Sequence, residues 1–270
     1  MRSLRILMAF LRRDWQIHRS YAASWLTALG HLLFAMAAFF LVSRLIDPAT
    51  PASLAAYGGE YFPFVFLGLL VSRLLNVSLS SLAGNLREEQ LQGSLEAILS
   101  CPIRLPQLVG GSMIWGFASV IVETVIAVAV AVVLFRFDLS HTDWVAGAVM
   151  LGLTAVCFCS LGVLSACGIL FFKEFDPTGW FLDGTMKLVS GVFVPVAMFP
   201  SWLKAIAGWL PMTYGLEAVR QAVLAGRTLS ELRGPCLSLF LFSVFLWPAG
   251  ILALSATLQR LKKDGALSFR

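Results

Sequence analysis

The sequence predicts an all-α polytopic membrane protein. Six transmembrane helices are expected, with an N-terminal interfacial helix, a short polar helix between the second and third spans, and a re-entrant helical pair between the fifth and sixth. Two observations carry this reading. Of 270 residues, 59% are hydrophobic and only 13% are charged, far more apolar surface than a water-soluble core of this length would bury. The apolar residues also fall in runs of about 20 or more, the length that crosses ~30 Å of hydrocarbon at 1.5 Å per residue.

The formal net charge of +5 does not point to nucleic acid. Its basic residues gather at Arg2–Arg19 and Arg260–Arg270, flanking apolar runs, which is an orientation signal. The five cysteines form no disulfide framework, because Cys157, Cys159 and Cys167 share one apolar run, and none has metal-ligand spacing with a histidine. Arg12, Arg13 and Asp14 interrupt the first apolar run too early for a signal-peptide core, so the N-terminus is expected to be retained.

Residues 3–20 read as an interfacial helix. Leu4, Leu7, Met8, Leu11 and Trp15 repeat at helical spacing beside an arc of Arg2, Arg5, Arg12, Gln16 and Arg19. It serves either as a headgroup anchor alone or also as a contact for a partner. The spans are placed at residues 25–45, 62–82, 108–135, 144–172, 180–196 and 236–257. Asp47-Pro48-Ala49-Thr50-Pro51 ends the first, and Gly162 and Ala166 give the fourth a small-residue surface for close helix approach. After Pro195 and Pro200, Trp202, Leu203, Ile206, Trp209 and Leu210 make an apolar helical face, broken at Pro211. Two helices within residues 201–226 are each too short to cross, and read as a re-entrant or interfacial cap.

Between the second and third spans, residues 87–100 read as a separate polar helix. Glu88, Glu89 and Glu96, with Gln90 and Gln92, are too costly for hydrocarbon, while Leu91, Leu95, Ile98 and Leu99 give it one apolar face. Such a helix, held at the membrane surface by two spans, is shaped to be gripped from outside. Six spans put both termini on one side. The greater share of Lys and Arg on that side, with Arg87, Arg104 and Lys173 beside the terminal clusters, makes it the cytoplasm.

Charged residues inside predicted spans include Arg73, Glu123, Asp183 and Lys187. Arg73 and Glu123 lie at similar depths, about 17 and 18 Å from the outer ends of the second and third spans. They form either a structural ion pair or part of a substrate path. Asp183 and Lys187 stand at i,i+4 in the fifth span, either neutralising each other or facing a conduit. Phe172, Phe175, Trp180, Phe181 and Phe193 are either an aromatic path or interface anchors. No HExxH, GxSxG or histidine–acid cluster is present, and no G-x-x-x-x-G-K-[ST] phosphate loop. The chain therefore reads as neither a metal site nor an enzyme, and any ATPase driving it is another chain.

Two motifs carry a family resemblance. Glu88, Gln90, Gly93, Ser94, Leu95, Glu96, Ile98, Leu99 and Pro102 resemble the coupling-helix pattern E-x-Q-x-x-G-[ST]-L-E-x-[IL]-[IL]-x-x-P of ABC-2-type transporter permeases. Gly191–Pro195, Phe199–Leu203 and Leu210–Arg220 are similar to the end of the fifth span and the extracellular re-entrant helices of that family, with Pro195, Pro200, Trp202, Pro211, Tyr214, Glu217 and Arg220 at the matching places. The resemblance implies that residues 87–100 are a cytoplasmic coupling helix, and that Glu88, Glu89, Gln90, Gly93, Ser94, Leu95 and Glu96 dock on a cytoplasmic ABC ATPase. It also implies a homodimer joined by two ATPases, with ATP and Mg on the partner subunit and no cofactor on this chain. The implied function is export of polysaccharides, lipid-linked glycans, lipids or hydrophobic drugs across a bacterial-type inner membrane. A non-transporting scaffold with a permease-like fold is the alternative.

Overall fold

The computed structural model describes residues 2–20, 22–45, 57, 59–93, 98, 100, 105–172 and 177–263. Among these, every regular element is helical: α1 (Arg2–Ser20), α2 (Ala22–Leu45), α3 (Tyr61–Leu91), α4 (Leu105–Phe135), α5 (Trp144–Phe172), α6 (Pro177–Val189), a single 3₁₀ turn (Val196–Met198), α7 (Ser201–Ala207), α8 (Pro211–Val223) and α9 (Arg233–Lys263). Four helices are long and apolar enough to cross a membrane: α3, α4, the Trp144–Leu170 part of α5 and the Arg233–Arg260 part of α9. In α2 the described apolar stretch is Leu29–Leu45.

α3 is the centre of the bundle. Its most apolar stretch is 83% buried, against 22% for α4 and for α9, so α3 touches protein on most sides while the other two turn broad apolar faces outward. It packs chiefly on α5, then on α4, with α2, α6 and α8 covering its Tyr61 end. α5 in turn carries α9 and α8. The core along this seam includes Val71, Leu74, Leu75, Phe158, Leu161, Met212 and Leu216. Nearer the Leu91 end, Leu82, Leu86, Leu108, Val163, Ala166 and Leu258 continue it.

Close approach of α3 and α5 depends on Gly162, since a Cβ there would collide with the carbonyl oxygen of Ser78. Ala166, one turn on, is fully buried. Small residues at this spacing let two helix backbones approach where no side chain fits between them.

Two expectations need correction. The helix predicted to begin at residue 87 does not start there: α3 runs unbroken for 31 residues through Leu91, because Asn85 to Gln90 carry no helix breaker and helical hydrogen bonding does not stop at the hydrocarbon edge. The break comes at Gly93, whose φ of +71° is a conformation that disfavours any side chain. Residues 94–97, 99 and 101–104 of that segment lie outside the described residues.

The fifth span, expected over 180–196, is shorter. α6 ends at Val189 after 13 residues, a rise of about 20 Å against ~30 Å of hydrocarbon. Gly191, at φ +83°, turns the chain out of the helix there. The predicted pair within 201–226 resolves into seven-residue α7 and 13-residue α8, with Pro211 at the start of α8, where its missing N–H costs nothing.

Gly162→Ala is expected to destabilise the protein by about 1–3 kcal/mol through overpacking. Gly152→Ala, whose added Cβ meets nothing within 4 Å, should be neutral. Thermal unfolding of the two variants in the same detergent checks this; equal melting temperatures would mean that α3 and α5 are not in contact at Gly162.

Candidate functional site

The polar chemistry of the chain lies along α3, at its two ends and its middle. At the cap end, beside α7 and α8, the chain meets a difficulty set by α6. Where a helix stops short, the carbonyls of the turn that follows have no intrahelical partners, and inside a membrane protein such groups must be satisfied by the protein itself. Arg220 of α8 supplies the donors. Its Nη1 donates to the Gly191 carbonyl at 2.8 Å and its Nη2 to the Val192 carbonyl at 2.8 Å. Nε and Nη2 also reach the Phe64 carbonyl in the first turn of α3 at 3.1 and 3.0 Å.

The guanidinium lies 3.4 Å from the Phe64 ring centroid, a cation–π contact, and Arg220 is only 3% exposed. Burial pulls its pKa below the ordinary guanidinium value, with Tyr57 and Glu217 nearby acting the other way. Arg is suited to this place because its planar fork reaches several carbonyls from one fixed position.

Beside it runs a second network. The Tyr57 hydroxyl donates to Glu217 Oε2 at 2.6 Å, the Gln221 amide donates to the other oxygen of Glu217, and Arg227 Nη1 donates to Gln221 Oε1 at 3.2 Å. Burial first, and then the hydrogen bond to Glu217, push the Tyr57 phenol above its usual pKa, so it remains a donor at neutral pH. The Tyr214 hydroxyl donates to the Gly208 carbonyl at 2.9 Å, closing the α7–α8 corner. Pro195 and Pro200 flank the 3₁₀ turn and α7. Trp202 and Trp209 are largely exposed, as rings at headgroup level would be.

Midway along α3, Arg73 and Glu123 meet in a two-toothed ion pair, Nε to Oε2 at 2.7 Å and Nη2 to Oε1 at 3.0 Å. Glu123 is 1% exposed and Arg73 29%; the acid is enclosed by protein, whereas the base has an open side. Asp183 and Lys187 pair along α6 at 2.7 Å, and Asp183 Oδ1 has no hydrogen-bond partner among the described residues. The structure does not join these two pairs to each other.

At the Gly93 end, Arg13 of α1 donates from Nη1 to Glu89 Oε1 at 2.6 Å and from Nε to Asp14 Oδ1 at 2.8 Å. α1 packs along the start of α4, with Phe10 against Gly111 and Trp15 edge-on to Trp115 at 5.7 Å. Glu89 is thus engaged within the chain, and Gln90 is buried. Glu88 is exposed and accepts from the Gln92 amide at 3.1 Å. Ser94, Leu95 and Glu96 lie outside the described residues, as does Phe175; the side chains of Phe172, Trp180 and Phe181 do too. Phe193 stacks on Phe39 of α2 at 5.3 Å.

Sequence reasoning missed Tyr57, Gln221, Arg13 and the Phe64 carbonyl as partners. Tyr57, Arg13 and the Phe64 carbonyl sit far along the chain from their partners, Gln221 is an ordinary i,i+4 neighbour of Glu217, and a single buried Arg in an amphipathic helix gives no local sign of its acceptors.

The sequence profile of the ABC-2 type transporter family matches residues 4–224, which takes in α1, the whole of α3 and the cap. The chain belongs to that family of transporter membrane proteins. It is similar to the inner membrane transport permease YadH of Escherichia coli K12, with 22% identity over 222 residues covering 79% of this chain and 82% of the relative. The Escherichia coli O157:H7 and Shigella flexneri proteins of the same name match to the same extent.

Arg220→Ala leaves three carbonyls short of a donor and is expected to lower stability by about 3 kcal/mol. Arg220→Lys, with no fork, should recover less than half of that. Arg227→Ala, in an exposed position, should stay within about 0.5 kcal/mol of the parent. Thermal unfolding in detergent reads all three; an Arg220→Lys variant as stable as the parent would show that charge alone, not the forked donors, holds the cap.

Proposed function

We propose that this chain is the permease subunit of an ATP-driven ABC-2-type exporter in a bacterial-type inner membrane. Two copies would form the pathway for an amphipathic substrate, and each would receive one cytoplasmic ATPase on the segment after α3. In this reading α2, α3, α4, α5, α6 and α9 are the six spans, α6 being completed by the chain through Pro200. Both termini and the Gly93 end of α3 face the cytoplasm, and α7 and α8 form the extracellular cap.

The observation that carries the reading is the continuity of α3. One uninterrupted helix links Phe64, held by the Arg220 guanidinium, to Glu88–Gly93, where the motif for gripping an ATPase begins. A rigid rod between a partner-binding segment and a cap is what rigid-body gating requires. Arg13–Glu89 braces its far end on α1, so that a push on the segment would be carried by α1 and α3 together. The names of the relatives, inner membrane transport permeases, support transport over a scaffold.

Gentle purification from the native membrane followed by mass spectrometry tests this. A roughly stoichiometric subunit bearing a phosphate-binding loop should accompany the chain. Glu96→Lys should lose that subunit while the chain still inserts and purifies as one species. Absence of any ATPase under all nucleotide conditions would overturn the exporter reading in favour of the scaffold.

A further inference from the structure

The part of α3 left uncovered by other helices is polar. Besides Ser81 and Asn85, which turn toward α4, and the residues at its two ends, those not buried are Leu69, Arg73, Asn76, Ser80, Gly84 and Arg87. At 3.6 residues per turn they fall within one arc of about 80°. Asn76 is the middle residue of the 31 in α3, about 22 Å from either end, and so deep within any hydrocarbon the helix crosses. From Asn76 the arc continues through Ser80 and Gly84 to Arg87 and the exposed Glu88. In the opposite direction, beyond Arg73, it meets apolar Leu69.

The other outward faces of the bundle differ. α4 turns out Ile121, Val122, Val125, Val132 and Val133, and α9 turns out Leu237, Phe240, Leu241, Val244, Phe245 and Leu252. Those faces suit lipid. On α3 the one exposed large apolar side chain is Leu91, at its very end.

Donors of Arg73 and Asn76 on this arc are unused. Glu123 occupies Nε and Nη2 of Arg73, leaving Nη1 without a partner among the described residues. The Asn76 amide makes no hydrogen bond there either, and the Ser80 hydroxyl bonds only the Asn76 backbone carbonyl, at 2.9 Å. Left against acyl chains, such groups would cost several kcal/mol.

We propose that this arc is the wall of a water-filled vestibule, open at the Gly93 end and closed near Leu69. Arg73 and Asn76 line its deep end and hydrogen-bond the polar part of the transported molecule. The inference rests on the transport reading for its cargo, but not for its hydration. Because Glu123 neutralises Arg73, the wall offers fixed hydrogen-bonding groups without net charge. That favours a hydroxyl- or amide-bearing headgroup over a wholly apolar solute.

Thiol labelling tests it, since a cysteine reacts with a charged, membrane-impermeant maleimide as its thiolate, which forms only in water. Asn76→Cys, Ser80→Cys and Gly84→Cys are compared with Val125→Cys on α4 and Phe245→Cys on α9, in everted membrane vesicles. The adduct at each position is quantified by peptide mass spectrometry, so the native cysteines do not interfere. Positions 76, 80 and 84 are expected to label at least about tenfold faster than 125 and 245.

Equal, slow labelling at all five would place the arc against lipid and overturn the vestibule. So would slow labelling at 76 and 80 accompanied by disulfide-linked dimers on mild oxidation, which would make the arc a contact between copies. Fast labelling in a chain that never purifies with an ATPase would leave the vestibule standing and sink the exporter reading instead.

Discussion

One guanidinium joins three segments: the turn after α6, the first turn of α3, and α8. α6 stops after 13 residues, and the turn that follows carries the carbonyls of Gly191 and Val192 in a region where water is not freely available to satisfy them. Arg220 answers both and adds the Phe64 carbonyl from α3. Each neutral hydrogen bond contributes modestly, but each unsatisfied buried carbonyl costs about 1–3 kcal/mol, so the short helix is tolerable only because Arg220 is there. The local architecture follows: α8 must lie across the first turn of α3, and Gly68 must lack a side chain, because a Cβ there would sit 2.7 Å from the Val192 carbonyl and 2.9 Å from Arg220 Nη2.

From that junction the fold passes along α3. Its burial on nearly every side leaves it little freedom to tilt without disturbing α5 at Gly162 and α4 at Gly116, where a Cβ would strike Ser81. Asn85 adds a hydrogen bond to the Ser112 carbonyl of α4 at 2.6 Å, and Arg13 fixes the last turns through Glu89. Packed cores switch between discrete arrangements more readily than they deform continuously. In this chain α3 is locked in this way to α5, to the start of α4 and, through Arg13, to α1.

Much of this was legible in the sequence, for reasons that also explain what was not. Long apolar runs announce helices because lipid and core both demand them, so residues 108–135 and 144–172 fall close to α4 and α5. The motif around Gly93 and the prolines at 195, 200 and 211 mark backbone requirements, which survive in sequence as residue types. Hydropathy says nothing about where a helix ends once it leaves the hydrocarbon, so the apolar run stops at residue 82 while α3 continues to Leu91. It also cannot tell a short helix followed by an extended turn from one full span, since Val192, Phe193 and Val194 look equally apolar either way; the stop is at Gly191. Arg73 and Glu123 could be matched by depth because both are conspicuous in apolar runs. Tyr57 and Glu217 could not, being ordinary residues of polar surroundings 160 positions apart.

The Arg73–Glu123 pair has one enclosed member and one with an open side. Glu123, enclosed by protein, has a partner that satisfies both its oxygens, as a buried carboxylate requires. Arg73 carries the same bond but keeps an open side, and Asn76 and Ser80 continue that side without any acid to balance. A residue present only to brace α3 on α4 would gain nothing from facing outward: the brace is complete with two of its donors. The third nitrogen of Arg73, together with the unengaged Asn76 amide, is surplus to the fold. Surplus hydrogen-bonding capacity at mid-helix, on the one face that neither core nor apolar side chains cover, is best accounted for by water and a polar cargo on the other side.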